Sequence, residues 1–151
     1  MSERVTTTSG AVGSRRVALP GALLGLGLAA TVDEVVFHQI LRWHHFYDRS
    51  TPAAGLVSDG ILHAVSWLAT VAALFLLADL RRRGPVPWRR WWGGVLAGAG
   101  AFQVYDGIVQ HKLLDLHQVR YGVDLVPYDV AWNASGLLLL VAAAVLLRGR
   151  A

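Results

Sequence analysis

The chain has 151 residues, of which 54% are hydrophobic and only 16% are charged. This balance is far from that of an average soluble protein and predicts an integral membrane protein with one domain. Cysteine is absent, which excludes disulfides, thiolate nucleophiles, iron–sulfur clusters and cysteine-type zinc sites. The net charge of +4 comes from basic residues at the ends of apolar segments, so no nucleic-acid partner is expected.

Residues 1–16 are rich in Ser, Thr and Gly and are predicted to form a disordered tail before a single membrane domain at 17–151. Four apolar segments follow, each long enough as a helix to cross a hydrocarbon layer of ~30 Å. Ser58 is the expected N-cap of the second segment, and Pro127 the expected first-turn residue of the fourth. The sequence therefore predicts an all-α transmembrane four-helix bundle with spans at about 18–44, 57–80, 88–116 and 127–147.

The basic residues predict the orientation of this bundle. Arg15 and Arg16, the 81–90 loop and the 148–150 tail all fall on one side of four spans. Because cytoplasmic loops carry the excess of Lys and Arg, both termini are expected in the cytoplasm. The expected location is the cytoplasmic membrane, with the lipid bilayer as surroundings. A homo-oligomer or a membrane-protein partner is possible for so small a bundle.

An internal repeat organises the chain. DEVVFHQILRWH at 33–44 returns as DGIVQHKLLDLH at 106–117, and both read D-x4-H-x5-H with an offset of 73 residues. Gly25 and Gly27 fall on Gly98 and Gly100 with the same offset. The second and fourth segments match more weakly, as D-x3-H at 59–63 and D-x3-N at 129–133. The pattern predicts two parallel two-helix repeats, related by an axis along the membrane normal.

Counting along the four segments places their ionisable residues at one depth, in the outer third of the membrane. Ionisable residues inside a membrane mark a functional site by default. We expect His38, His63 and His111 to point towards a common centre. With α-helical phase, His38 and His111 should face differently from His44 and His117, which lie where the helices leave the membrane and are the least suitable ligands.

A set of His and carboxylate groups without sulfur suits Zn, Fe, Mn or Cu(II). Asp33, Glu34 and Asp106 are candidates for a general base or for groups that orient the imidazoles. The predicted function is a membrane metal-binding protein, either a metal-dependent oxidoreductase or hydrolase, or a metal-handling or assembly factor. The candidate metal ligands are His38, His44, His63, His111, His117, Asp59, Asp106 and Asp129.

Three other interpretations stay open on the sequence alone. His38 and His111, related by the repeat, are suited to bind the two faces of a haem in an electron-transfer protein. Asp33 and Asp106 are suited to titrate in a proton-coupled transporter. The polar residues can also serve only to hold the helices together by hydrogen bonds.

The stretches DEVVFHQILRWHH, DGILHAVSWLAT and YDGIVQHKLLDLHQVRYGVDLVPYDVAWN resemble the DUF2243 family of bacterial four-span predicted membrane proteins. The resemblance covers nearly the whole chain after the N-terminal tail. It implies a helical membrane protein with four spans, and it implies no activity and no site residue.

Overall fold

The computed structural model describes residues 14–148, which form helices and no strand. This confirms the all-α prediction. The predicted tail lies largely at residues 1–13, outside the described part of the chain. The first and third helices each continue without a break as a π-helix, at Glu34–Ile40 and Asp106–Leu113. The four helices are α1 (Ser14–Asp33), α2 (Pro52–Arg83), α3 (Trp88–Tyr105) and α4 (Leu125–Arg148).

Three of the helical segments are long and apolar enough to cross a membrane: Arg16–Ile40, Pro52–Arg83 and Leu125–Arg148. The segment formed by α3 and its π-helix is not among them. Glycines, tryptophans and arginines take up much of α3, and they lower its mean hydropathy relative to that of α4. A fourth crossing by α3 therefore stays a prediction.

The starts of α2 and α4 test two residue-level predictions. Helix α2 begins at Pro52, and the Thr51 side chain is its N-cap, accepting a hydrogen bond from Ala54 N at 3.3 Å. The prediction that Ser58 is the N-cap is wrong, because the helix already contains the stretch from Pro52 onwards. Pro is favoured at the first helical position, where its missing N–H costs nothing. Pro127 does lie in the first turn of α4, as expected.

The helices lie in the spatial order α2, α1, α3, α4. Helix α1 packs against α2 and α3, and α3 packs against α1 and α4. Among residues 14–148, α2 and α4 do not pack on each other, and neither do α1 and α4. Large apolar side chains on the outer helices are strongly exposed, including Leu68 at 70%, Phe75 at 72% and Leu138 at 69%. Such a surface is suited to lipid rather than to water.

Glycines bring the two central helices into backbone contact. A Cβ on Gly25 of α1 would overlap the carbonyl of Val95 on α3, and a Cβ on Gly98 of α3 would overlap the carbonyl of Ala22 on α1. Gly21 and Gly94, four residues earlier on each helix, make the same kind of contact. Such small-x3-small pairs let membrane helices approach closely, and here the contact is reciprocal, with the offset of 73 relating its two halves.

The outer helices dock on the central pair through small residues as well. Gly27 faces the carbonyl of Ser66 on α2, and Gly100 faces the carbonyl of Gly136 on α4. The Thr31 hydroxyl lies 2.8 Å from the Gly27 carbonyl and 3.0 Å from Ser66 Oγ. Hydrogen bonds between side chains of neighbouring helices hold those helices together where water is absent.

Candidate metal centre

The π-helices decide which side chains face the site. Their hydrogen bonds close at five residues, as in Leu41 N to Val36 O at 2.9 Å and Leu114 N to Val109 O at 2.8 Å. Residues five apart therefore stack above one another, whereas in an α-helix they point in different directions. This places the Asp and the first His of each D-x4-H motif on one side of the helix. Short π-helical turns are rare and are frequent at functional sites.

A left-handed residue ends each π-helix and turns the chain back. Arg42 has φ of 52° and Asp115 has φ of 49°, and the two positions are 73 residues apart. Non-glycine residues seldom adopt this conformation. After the turn, His44 and His117 lie beside the first histidine of their own motif, with ring centroids 4.5 Å from His38 and 4.6 Å from His111.

Four imidazoles and two carboxylates meet where α1 and α3 end. The rings of His44 and His117 stack across the two halves, with centroids 4.6 Å apart and an interplanar angle of 11°. No member of the group is more than 5% exposed. We call this group the histidine–aspartate cluster; it consists of His38, His44, His111, His117, Asp33 and Asp106.

Backbone carbonyls fix the tautomers of the two stacked histidines. His44 Nδ1 lies 2.8 Å from the Val119 carbonyl, and His117 Nδ1 lies 3.0 Å from the Phe46 carbonyl. A carbonyl can only accept, so both Nδ1 atoms carry the proton and both Nε2 atoms keep a lone pair. Each half of the chain thus orients an imidazole of the other half.

Carboxylates orient the ring of His38. Its Nδ1 lies 2.9 Å from Glu34 Oε2 and 3.0 Å from Asp59 Oδ1, and its Nε2 lies 3.4 Å from Asp33 Oδ2. The other oxygen of Asp59 lies 2.6 Å from His45 Nδ1, and the Phe46 amide donates to Asp59 at 2.7 Å. A carboxylate on Nδ1 that leaves Nε2 towards the centre is the usual arrangement behind a metal-binding histidine.

The other half of the cluster brings nitrogen and oxygen donors to ligand spacing. His111 Nε2 lies 2.9 Å from Asp106 Oδ2 and 3.0 Å from His117 Nε2. The separation of these two Nε2 atoms is that of a hydrogen bond between the two rings. Two ligands on one tetrahedral ion at ~2.1 Å lie roughly 3.4 Å apart, so the pair is near ligand spacing as well.

Three groups of buried residues have ligand atoms within 4.8 Å of one another. His44 belongs to two of these groups, so it links the two halves of the cluster. Glu34 extends the set beyond the cluster through His38. The groups are His44, His111 and His117; Asp33, His38 and His44; and Glu34, His38 and Asp59.

Several buried polar atoms of the cluster have no hydrogen-bond partner. They are Asp33 Oδ1, His38 Nε2, His44 Nε2, His111 Nδ1 and both oxygens of Asp106, of which Oδ2 makes only the 2.9 Å ion-pair contact with His111. A buried polar group left unpaired costs about 1–3 kcal/mol, so native proteins rarely collect them in one place. A bound cation satisfies acceptor atoms of this kind, and the donor set fits a transition metal.

The structure does not bring every candidate ligand to the cluster. The His63 side chain is exposed and lies beside Trp67, with ring centroids 6.4 Å apart. Asp129 pairs instead with Lys112 Nζ at 2.6 Å. His63 is exposed because only a narrow stripe of α2 is buried, on the side where this helix packs against the first helix. That stripe follows a seven-residue spacing and leaves His63 outside it: Asp59, Ser66, Ala73 and Leu80.

The prediction from α-helical phase, that His38 and His111 face differently from His44 and His117, is also wrong. His44 and His117, the ligands judged least suitable from their place at the helix ends, lie in the middle of the cluster. The π-helices and the left-handed turns that follow them place these residues there. A further participant, His45, bonds to Asp59 and was not among the candidates.

Apolar helices that end in a buried ionisable cluster define an integral membrane protein, because such residues are retained in a membrane only with partners or a use. The family model described as "Predicted membrane protein (DUF2243)" matches residues 20–150. The chain belongs to this family. Comparisons with curated proteins and with solved structures give no match.

Proposed function

We propose that this membrane protein holds a transition-metal centre in the histidine–aspartate cluster and uses it as a reactive centre. The observation that carries the proposal is the convergence of four buried imidazoles on Asp33 and Asp106. Their Nδ1 atoms are largely occupied by carbonyl or carboxylate partners, and unpaired acceptor atoms remain at the centre. Neutral imidazoles and carboxylates are the donors that Zn, Fe, Mn and Cu(II) share.

A resident cofactor fits the cluster better than a transported ion. Every member is at most 5% exposed, so little of the cluster faces solvent directly. The three overlapping ligand groups, joined at His44 and His38, offer room for two neighbouring ions. Metal-bound water beside a carboxylate supports hydrolysis, and a redox-active metal in the same ligands supports oxidation.

The packing of the four imidazoles argues for metal ions rather than haem. A haem bound between His38 and His111 needs an open slot between those two rings. The rings of His44 and His117 fill that region, at 4.5 Å from His38 and 4.6 Å from His111. Both stacked rings are held by backbone carbonyls, so they cannot move aside without breaking these bonds.

The proposed orientation puts the cluster towards the outer face of the membrane. Basic residues gather at the opposite end of the helices, where Arg81, Arg82 and Arg83 end α2 and Arg89 and Arg90 begin α3. Such residues are retained on the cytoplasmic side. Lipid surrounds the outer faces of α2 and α4, which carry the exposed apolar side chains.

Elemental analysis of the purified protein in detergent, after loading with each metal in turn, tests the proposal. The wild type should retain one or two ions per chain, most tightly for one of Zn, Fe, Mn or Cu. His44→Asn should lose most of the metal, because His44 belongs to two ligand groups. His63→Asn is the matched control and should bind as the wild type does, because His63 is exposed and lies outside the cluster.

Two outcomes would refute the proposal. One is a wild-type protein that retains no stoichiometric metal under any loading condition while its helical circular-dichroism spectrum stays intact. The other is equal metal content in His44→Asn and His63→Asn. A Soret band in the purified protein would instead support the haem interpretation.

A further inference from the structure

A large apolar cavity lies over α3, in the groove between α1 and α4. Its volume is about 520 Å³, within the range of small-molecule sites in proteins. The groove exists because α1 and α4 both pack on α3 but, within residues 14–148, not on each other. Leu28 and Val32 lie at its rim and are 44% and 56% exposed, so the cavity opens towards the lipid side of the helices.

Aromatic side chains form the wall of this cavity at the end near the cluster. The rings of Phe37 and Trp132 meet edge to face at 5.3 Å, and those of Trp43 and Tyr128 at 5.6 Å. Arg120 holds the second pair in place, with its guanidinium 4.8 Å from the Trp43 ring and a 2.6 Å hydrogen bond to the Tyr128 hydroxyl. Rings arranged in this way offer both faces and edges to a flat partner.

The aromatic wall is present on one side of the repeat only. The positions that correspond to Phe37 and Trp43, 73 residues later, are Gln110 and Leu116. The positions that correspond to Tyr128 and Trp132, 70 residues earlier, are Ser58 and Leu62. Packing at the centre of the molecule does not call for this asymmetry, because the glycine contacts between α1 and α3 and the carbonyl bonds of His44 and His117 obey the repeat.

The cavity reaches the cluster at Asp33. The Asp33 side chain lines the cavity, is 3% exposed and has one oxygen without a hydrogen-bond partner. On the opposite side, a second cavity of about 530 Å³ reaches His38 and His44 from the polar connection at Arg42 and Asp48. The cluster therefore has an apolar approach from the membrane and a polar approach from the loops.

We infer that the apolar cavity binds a lipid-soluble molecule with a flat ring, of the quinone type, and presents the ring to the cluster at Asp33. The inference rests on the proposed function, because it names the substrate class of the proposed metal centre. Apolar lining and a lipid-side opening select a molecule dissolved in the membrane. The aromatic wall beside Asp33 selects a ring with polar edge groups, because a saturated chain gains nothing specific from edge-to-face contacts.

Quenching of tryptophan fluorescence by decylubiquinone, in purified metal-loaded protein, tests the inference, because Trp43 and Trp132 lie in the cavity wall. Saturable quenching is expected, with little competition from n-decanol, which carries the chain without the ring.

Ala29→Phe fills the cavity and should weaken binding about tenfold or more, which corresponds to ~1.4 kcal/mol. Ala131→Phe, at an exposed position of the lining, should weaken binding in the same direction without entering a helix contact. Ala64→Phe, on the exposed surface of α2, is the matched control and should leave binding unchanged.

Metal content and ring binding are measured separately, so the two proposals can fail separately. If metal is retained but quenching is unsaturable, or equal in Ala29→Phe, Ala131→Phe and Ala64→Phe, the inference is overturned and the metal centre stands. Equal competition by n-decanol would also overturn it, because the cavity then selects an aliphatic chain and not a ring.

In Cu²⁺-loaded protein, decylubiquinone should change the electron paramagnetic resonance spectrum of the metal. An unchanged spectrum at saturation would overturn the presentation of the ring at Asp33. A protein that binds the ring but holds no metal would overturn the metal centre and, with it, the assignment of the ring as its substrate.

Discussion

Replacing Gly98 by alanine tests whether backbone contact between α1 and α3 sets the geometry of the molecule. The new Cβ would overlap the Ala22 carbonyl, whereas ordinary contacts begin at 3.4 Å. The obstacle is backbone, so the helices must separate, by roughly 1 Å or more, and a gap of that size forfeits a quarter to a half of the dispersion energy of the facing atoms. Overpacking costs about 1–3 kcal/mol, and replacing a helical glycine returns about 0.5–1 kcal/mol, so the middles of these ranges leave a net loss of about 1 kcal/mol.

Thermal unfolding in detergent, followed by circular dichroism, measures the effect of Gly98→Ala. A loss of about 1 kcal/mol should lower the midpoint by about 2–4 °C for a chain of this length. Gly60→Ala is the matched control, because a Cβ at Gly60 meets nothing within 4 Å. It should raise the midpoint slightly through the better helix propensity of alanine. A Gly98→Ala midpoint at or above that of Gly60→Ala would refute the reasoning.

Three further predictions concern other parts of the structure. Asp59→Asn should weaken metal binding by about 10–100-fold in a competition titration, because the carboxylate orients His38, while Asp129→Asn, the repeat counterpart outside the cluster, should not. Arg42→Gly should raise the thermal midpoint by an amount equivalent to about 0.5–1 kcal/mol, because φ is 52° there and only glycine adopts it freely; a lower midpoint would contradict this. Thr31→Val should cost about 0.6 kcal/mol by denaturant unfolding, the usual size of one interhelical hydrogen bond in a membrane protein, and Thr31→Ser should restore most of it.

The repeated D-x4-H-x5-H motif predicts that the ionisable residues gather at one end of the molecule. The lengths of the apolar segments predict the helices, and counting residues from the helix ends predicts that the ionisable residues lie at one end of the molecule. His38, His111, Asp59 and Asp106 are buried there together, as expected. These predictions succeeded because they depend only on the rise along a helix and on the cost of placing polar groups in lipid.

The orientation of the side chains was not predictable from α-helical phase. A π-helix changes the period locally, so Asp33 and His38, which would diverge in an α-helix, lie 3.4 Å apart. The left-handed turn at Arg42 has no sequence signal either, because Arg is not a residue expected at positive φ, whereas Asp, as at Asp115, is among the residues enriched there. One signal was available and not used: Gly21 and Gly94 complete a G-x3-G pair with Gly25 and Gly98, which predicts the contact between α1 and α3.

The crossed bonds of the stacked histidines have a consequence for the order in which the molecule is made. The carbonyl that fixes His44 belongs to Val119, and the one that fixes His117 belongs to Phe46. The first pair of helices, once synthesised, therefore carries a His44 ring that is not yet held in place. That ring takes a fixed direction only when the chain has grown past Val119 and α3 has docked on α1. Synthesis of the second repeat is thus the event that assembles the histidine–aspartate cluster.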